Sequence, residues 1–185
     1  MSELALLLLV LIGGVLLARR FIGFTAQSPE DYKDTLPVVD IQKHLSGPLL
    51  SEGIIYGPRG HVVARFIAPM QGDWDGDTGT LAETFHYATG ATQERQWNLK
   101  MGQNGAFTAT ASDIIGVAEG QQSGATVRMR YRIRLDEDAG GHVLNVTDWL
   151  YLMENGTFMN KSVMRKFGIK VAELVATIRP AHPDV

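Results

Sequence analysis

Three charged residues interrupt alternations that are otherwise apolar. In Leu81-Ala82-Glu83-Thr84-Phe85-His86-Tyr87, Glu83 shares its parity with Leu81, Phe85 and Tyr87. In the segment from Glu94 to Met101, Arg95 shares its parity with Trp97, Leu99 and Met101. Asp148 stands among Leu144, Val146, Leu150 and Leu152, beside Trp149 and Tyr151. Successive side chains of a strand point to opposite faces, so these charges are expected to share one interior with their apolar partners. A carboxylate and a guanidinium brought together there would orient the polar head of an amphiphilic ligand. Tyr87, Trp97, Tyr131 and Trp149 would line the remainder of its cavity. The same residues also fit a structural ion pair at a barrel mouth, or a register change that turns these groups outward, with no ligand involved.

Other chemistry is thinly represented. Asp73-Trp74-Asp75-Gly76-Asp77-Thr78-Gly79 has the acid density of a calcium loop. Against that pattern, Thr78 occupies the glycine position and Thr84 the final bidentate-glutamate position, so the stretch reads as a hairpin and no metal is assigned. His44, His61, His86, His142 and His182 have no metal-ligand spacing, and no nucleophile elbow, phosphate loop or dinucleotide fingerprint is present. No catalytic set and no cofactor are assigned, which leans the reading away from an enzyme. An acid–base alternative, using the interior charges with His86 or His61 in fatty-acyl modification, stays open. The absence of cysteine excludes thiolate catalysis and disulfides, and a net charge of −3 gives no reason to expect nucleic acid. Arg128, Arg130, Arg132 and Arg134 form a stripe on one strand face, suited either to anionic headgroups or to water and neighbouring acids.

The elements that must position these groups are strands. Val127–Leu135 alternates five apolar residues with four arginines, and comparable segments cover 49–56, 61–70, 81–87, 94–101, 106–111, 113–119, 142–152, 157–166 and 169–178. Asp75-Gly76, Asn104-Gly105 and Asn155-Gly156 supply hairpin turns, as do Gly57–Gly60, Thr89-Gly90, Ser123-Gly124 and Gly140-Gly141. Hairpin after hairpin predicts an all-β, antiparallel, up-and-down meander of about ten strands, and closure into a barrel would remove its edges. A short helix is expected after Asp40, which would cap it, with Gly47-Pro48 ending it. The sequence leaves the oligomeric state open.

Leu4–Ala18 contains no charge. As a helix it would extend about 22 Å, and Phe21–Phe24 beyond Arg19-Arg20 would lengthen the span toward the roughly 30 Å hydrocarbon core. Glu3, the lack of a basic residue before the run and the missing cleavage site favour an uncleaved single-pass anchor over a signal peptide. The expected organisation is an anchor at 1–24, a polar linker at 25–38, a β-barrel at 39–180 and a tail at 181–185.

The ordered motifs Asp73-Trp74-Asp75-Gly76-Asp77, Phe85/Tyr87, Gln96-Trp97, Ala111–Gly120, Asp148-Trp149-Leu150-Tyr151-Leu152 and Lys166-Phe167-Gly168 carry a resemblance. Together they resemble the bacterial family catalogued as domain of unknown function 3833. That resemblance implies a lipocalin-like (calycin-like) barrel in the cell envelope, with a loose tie to fatty-acyl metabolism and no catalytic residues to carry over. Many members look like lipoproteins tethered through an N-terminal cysteine, which this chain lacks. Such relatives imply a domain on the periplasmic side of the inner membrane, whereas Arg19-Arg20 imply the cytoplasmic side. The expected function is a membrane-anchored barrel that binds an acyl chain or other apolar ligand. An enzyme subunit and a structural envelope protein with a filled barrel are the alternatives.

Overall fold

The computed structural model describes residues 3–137 and 140–181, with the backbone alone at residues 4 and 15–21. Three short or helical pieces come first: α1 (Glu3–Phe21), a one-turn 3-10 helix (Pro29–Tyr32) and α2 (Ile41–His44). Ten strands follow: β1 (Gly47–Tyr56), β2 (Val62–Asp75), β3 (Thr78–Tyr87), β4 (Thr92–Met101) and β5 (Ala106–Thr110), then β6 (Ala118–Ser123), β7 (Thr126–Arg134), β8 (Val143–Leu152), β9 (Phe158–Lys166) and β10 (Ile169–Pro180). Each pairs antiparallel with its sequence neighbours, and β10 pairs with β1, so the sheet closes into a barrel. The alternation drives this closure: in β4, Trp97 and Leu99 are buried while Gln96 and Asn98 face water.

One end of the barrel is plugged by α2. Asp40 caps this helix by accepting hydrogen bonds from the Gln42 and Lys43 N–H groups. Ile41 and Leu45 then pack on Leu49, Phe107, Val127 and Phe158 in the main core. The helix sits close to β2, since a Cβ on Gly72 would lie 1.9 Å from the Leu45 carbonyl oxygen. Trp74 Nε1 donates to that same oxygen at 3.1 Å. The up-and-down order gathers the β1–β2, β3–β4, β7–β8 and β9–β10 turns at the other end, the mouth.

Three expectations change. The segment expected as a strand at 113–119 is irregular as far as Val117, and β6 begins only at Ala118. Gly116 adopts a positive φ of 77° there, and the loop is stitched to β7 by the Ile115 N–H donating to Arg132 and the Arg134 N–H donating to Asp113. The stretch expected as a polar linker at 25–38 is seated on the outer wall, where Tyr32 packs on Trp149 and Tyr151. Finally, among the described residues no helix is long and apolar enough to cross a membrane. The side chains of Arg19, Arg20 and Phe21, on which the longer span depended, lie outside the described residues, as does the tail from His182 onward. In the described part of α1, Leu6–Ile12 are exposed on all sides.

Candidate functional site

Side chains do not fill this barrel. A cavity of about 450 Å³ opens inside it, lined by apolar residues of nearly every strand together with Arg95, Asp113, Tyr131, Asp148, Asn160 and Ser162. That size lies within the 300–1,000 Å³ typical of small-molecule sites. Two glycines make room for the aromatic lining. A Cβ on Gly53 would lie 2.6 Å from the Phe66 ring, and one on Gly120 would lie 2.1 Å from the Phe107 ring.

The first polar group gathers around Arg95. The register sets Glu83 directly opposite it across β3 and β4, and their charges approach to 3.8 Å. Arg95 turns its hydrogen bonds elsewhere, donating from Nε at 2.9 Å and from Nη2 at 2.6 Å to Oδ2 of Asp113. Its guanidinium also lies 5.6 Å from the Phe85 ring centre and 5.8 Å from that of Trp97, close enough for cation–π attraction. Glu83 Oε2 and Asp113 Oδ1 are buried without a hydrogen-bond partner. Burial pushes the Glu83 carboxyl up to about 7, against the opposing pull of Arg95. Burial also opposes the charge on Arg95, but Glu83, Tyr131 and Asp113 more than offset it and hold the guanidinium protonated.

The second polar group surrounds Asp148 on the facing wall. Its carboxylate accepts from Ser162 Oγ, from Asn160 Nδ2 at 2.9 Å and from the Tyr131 hydroxyl at 3.1 Å. Burial raises the Asp148 pKa while these three donors restrain the rise. Burial and the neighbouring Asp148 lift Tyr131 well above the usual phenol range, so it remains a donor. Tyr131 packs edge-on against Trp97, with ring centres 5.4 Å apart, and so joins the two polar groups.

The residues singled out by parity divide cleanly. Glu83, Arg95, Trp97, Tyr131 and Asp148 converge on the interior, and Tyr87 stands nearer the mouth, its hydroxyl donating to Gln93 at 2.9 Å. Trp149 does not join them. It lies on the opposite parity to Asp148, fully buried on the outer wall beneath Tyr32 and stacked on Tyr151, so its expected place in the cavity is corrected. His86 and His61 are exposed outside the cavity, which removes the expected histidine partners of the acid–base alternative. Asn160, Ser162 and Asp113 were missed. The first two share the parity of Phe158 and Met164 and obey the same rule that found Glu83, whereas Asp113 enters from an irregular loop that no periodicity marks. Arg128, Arg130 and Arg132 of the arginine stripe lie on the outer face, with Arg130 opposite Glu119, whereas Arg134, at the end of β7, reaches the cavity lining. Among the described residues no cluster of histidine and acidic side chains is arranged to hold a metal ion.

The family model for "Protein of unknown function (DUF3833)" matches residues 18–180, which cover both polar groups and the whole barrel. The chain belongs to this family. No curated protein matches it. Among solved structures, the barrel is similar to an S-type phycobiliprotein lyase, CPES, from Guillardia theta, with a TM-score of 0.57 and 9% identity. That match covers 78% of this chain and 92% of the lyase chain. At such identity the likeness shows the fold alone: for this member of the family, a closed antiparallel barrel of the lipocalin-like kind.

Proposed function

We propose that the chain is a membrane-anchored barrel that binds one amphiphilic molecule with an acyl or other apolar chain, in support of membrane-lipid handling. The observation that carries this is the apolar cavity with a polar cluster at mid-depth. A ligand with a long apolar body and one polar end would match both parts. Two groups, Asp113 and Asp148, stand on its lining, and the partly paired Glu83 lies just behind. Three carboxyl groups therefore face one guanidinium at this depth, so the polar end would carry hydrogen-bond donors, a hydroxyl or an amine, and not a further carboxylate.

The anchoring rests on α1, whose exposed Leu6–Ile12 have neither a polar face nor a covering element among the described residues. We place the barrel on the periplasmic side of the bacterial inner membrane, in line with the lipoprotein-like relatives implied by the family resemblance. A reporter fused to the C-terminus, active on one side only, tests that placement.

Native mass spectrometry of the full-length protein, extracted from its own membrane, tests the ligand reading. Leu174 lines the cavity, so the bulkier Leu174→Trp variant should retain less bound lipid than the natural protein while α1 stays unchanged. Equal retention by two folded proteins would assign the lipid to α1 and defeat the reading.

A further inference from the structure

The β9–β10 turn at the mouth is built against the usual preference. Phe167 and Gly168 both have positive φ, 51° and 79°, as do Asn104 and Gly105, at 55° and 77°, at the plugged end. Asparagine is the ordinary choice for the first position because its short polar side chain tolerates this backbone, and a bulky aromatic is a strained one. The phenyl ring gains no packing in exchange, since Phe167 is 90% exposed. Ile169 follows at 70%, and on the β1–β2 side of the mouth Val63 is 63% exposed while also lining the cavity. Lys166 Nζ lies 5.8 Å from the Phe167 ring centre. An aromatic tip with a flanking lysine, continuous with an apolar cavity, has the composition of a membrane-interface anchor.

The seated segment points the same way. Its Val39 N–H donates to the Gly124 carbonyl, and Thr35 Oγ1 accepts from the Ala125 N–H, both at the plugged end. Farther back along the chain Tyr32 covers Trp149 and Tyr151, and the Phe24 ring lies 5.3 Å from Lys161 Nζ on β9. Traced back from Val39, the chain leaves the plugged end and climbs the wall as far as the level of Trp149 and its cross-strand partner Lys161, where both Tyr32 and Phe24 lie. The geometry points to a barrel whose mouth faces the bilayer, with Phe167 and Ile169 inserted into the lipid interface. This rests on the proposed membrane anchoring and adds the orientation and the docking surface.

The chain has no cysteine, so single-cysteine variants of the full-length protein can carry one nitroxide each. Phe167→Cys, Ile169→Cys, Met153→Cys at the plugged end and Ile12→Cys in α1 would be placed in nanodiscs containing anionic lipid. Collision with oxygen, compared with a water-soluble nickel chelate, reports depth. Labels at 167, 169 and 12 are expected to favour oxygen, and the label at 153 to favour the chelate. Aqueous labels at 167 and 169 with a lipid-buried label at 12 would overturn the orientation and leave the anchor standing. An aqueous label at 12 would overturn the anchor itself. Lipid burial at 153 as deep as at 167 would also overturn the orientation.

Discussion

Arg95 commits two of its donors to a single oxygen of Asp113, a residue eighteen positions away on an irregular loop, while the facing Glu83 stays 3.8 Å off. The loop is thereby tied to the β3–β4 wall through the cavity itself. Removing the guanidinium that pairs with both would leave Glu83 and Asp113 buried without their ion-pair partner. Arg95→Met should therefore cost about 3–5 kcal/mol of unfolding free energy, the usual penalty for breaking a buried pair from one side. Adding Asp113→Asn should restore part of that loss. Urea denaturation of the single and double variants measures the coupling, and strictly additive costs would show that the contact holds nothing.

Glu83 makes stability depend on pH. Its pKa of about 7 in the folded barrel exceeds the ordinary 4.5, because burial favours the neutral acid. The native state thus holds this proton more tightly than the unfolded chain does. The resulting stabilisation is complete below about pH 4.5 and drains away as the pH rises through 7, by on the order of 3 kcal/mol at most. Asp148 is shifted in the same direction. Glu83→Gln should track the natural protein near pH 5 and become relatively more stable by pH 8. Parallel melting profiles from pH 5 to 8 would contradict this.

The barrel was legible because its turns and strands agree. Asp75-Gly76, Asn104-Gly105 and Asn155-Gly156 all mark hairpins, and the two-residue period of β4 and β7 states which side chains go inward. The Glu83–Arg95 pairing followed from that period plus one short turn. Asp113 was illegible because its place is fixed by long-range hydrogen bonds to β7 and not by local pattern. The seated segment was hidden for a related reason: Tyr32, Gln27 and Thr35 look like linker residues until the aromatic wall of Trp149 and Tyr151 exists to receive them. Trp149 itself was misplaced by reading neighbourhood in sequence instead of parity.

The correction at Trp149 separates two tryptophans by experiment. Trp97 lines the cavity beside Arg95 and Tyr131, whereas Trp149 lies outside it. An amphiphile with a brominated chain, bound inside, should quench the fluorescence of Trp97. Trp97→Phe should abolish most of that quenching, and Trp149→Phe should keep it while losing about 1–3 kcal/mol of stability, as core truncations do. Quenching that survives Trp97→Phe unchanged would put the chain outside the cavity.

The seated segment gives the last prediction. Gly124 has a positive φ of 51°, and a Cβ there would fall 1.8 Å from the Tyr32 carbonyl oxygen. Neither the backbone nor the contact admits a side chain, so Gly124→Ala must push residues 29–35 off the wall. Tyr32 would then lose its packing on Trp149, and the Tyr32 and Tyr151 hydroxyls would lose the shared Gln27 acceptor. The barrel has its own closed ladder, so it should persist with stability lowered by about 1–3 kcal/mol. Cleavage by trypsin at Lys33 should accelerate strongly, because an unseated polar segment can enter a protease cleft and a packed one cannot. Unchanged cleavage at Lys33, with the far-ultraviolet spectrum also unchanged, would mean that the segment is held by contacts other than those around Gly124.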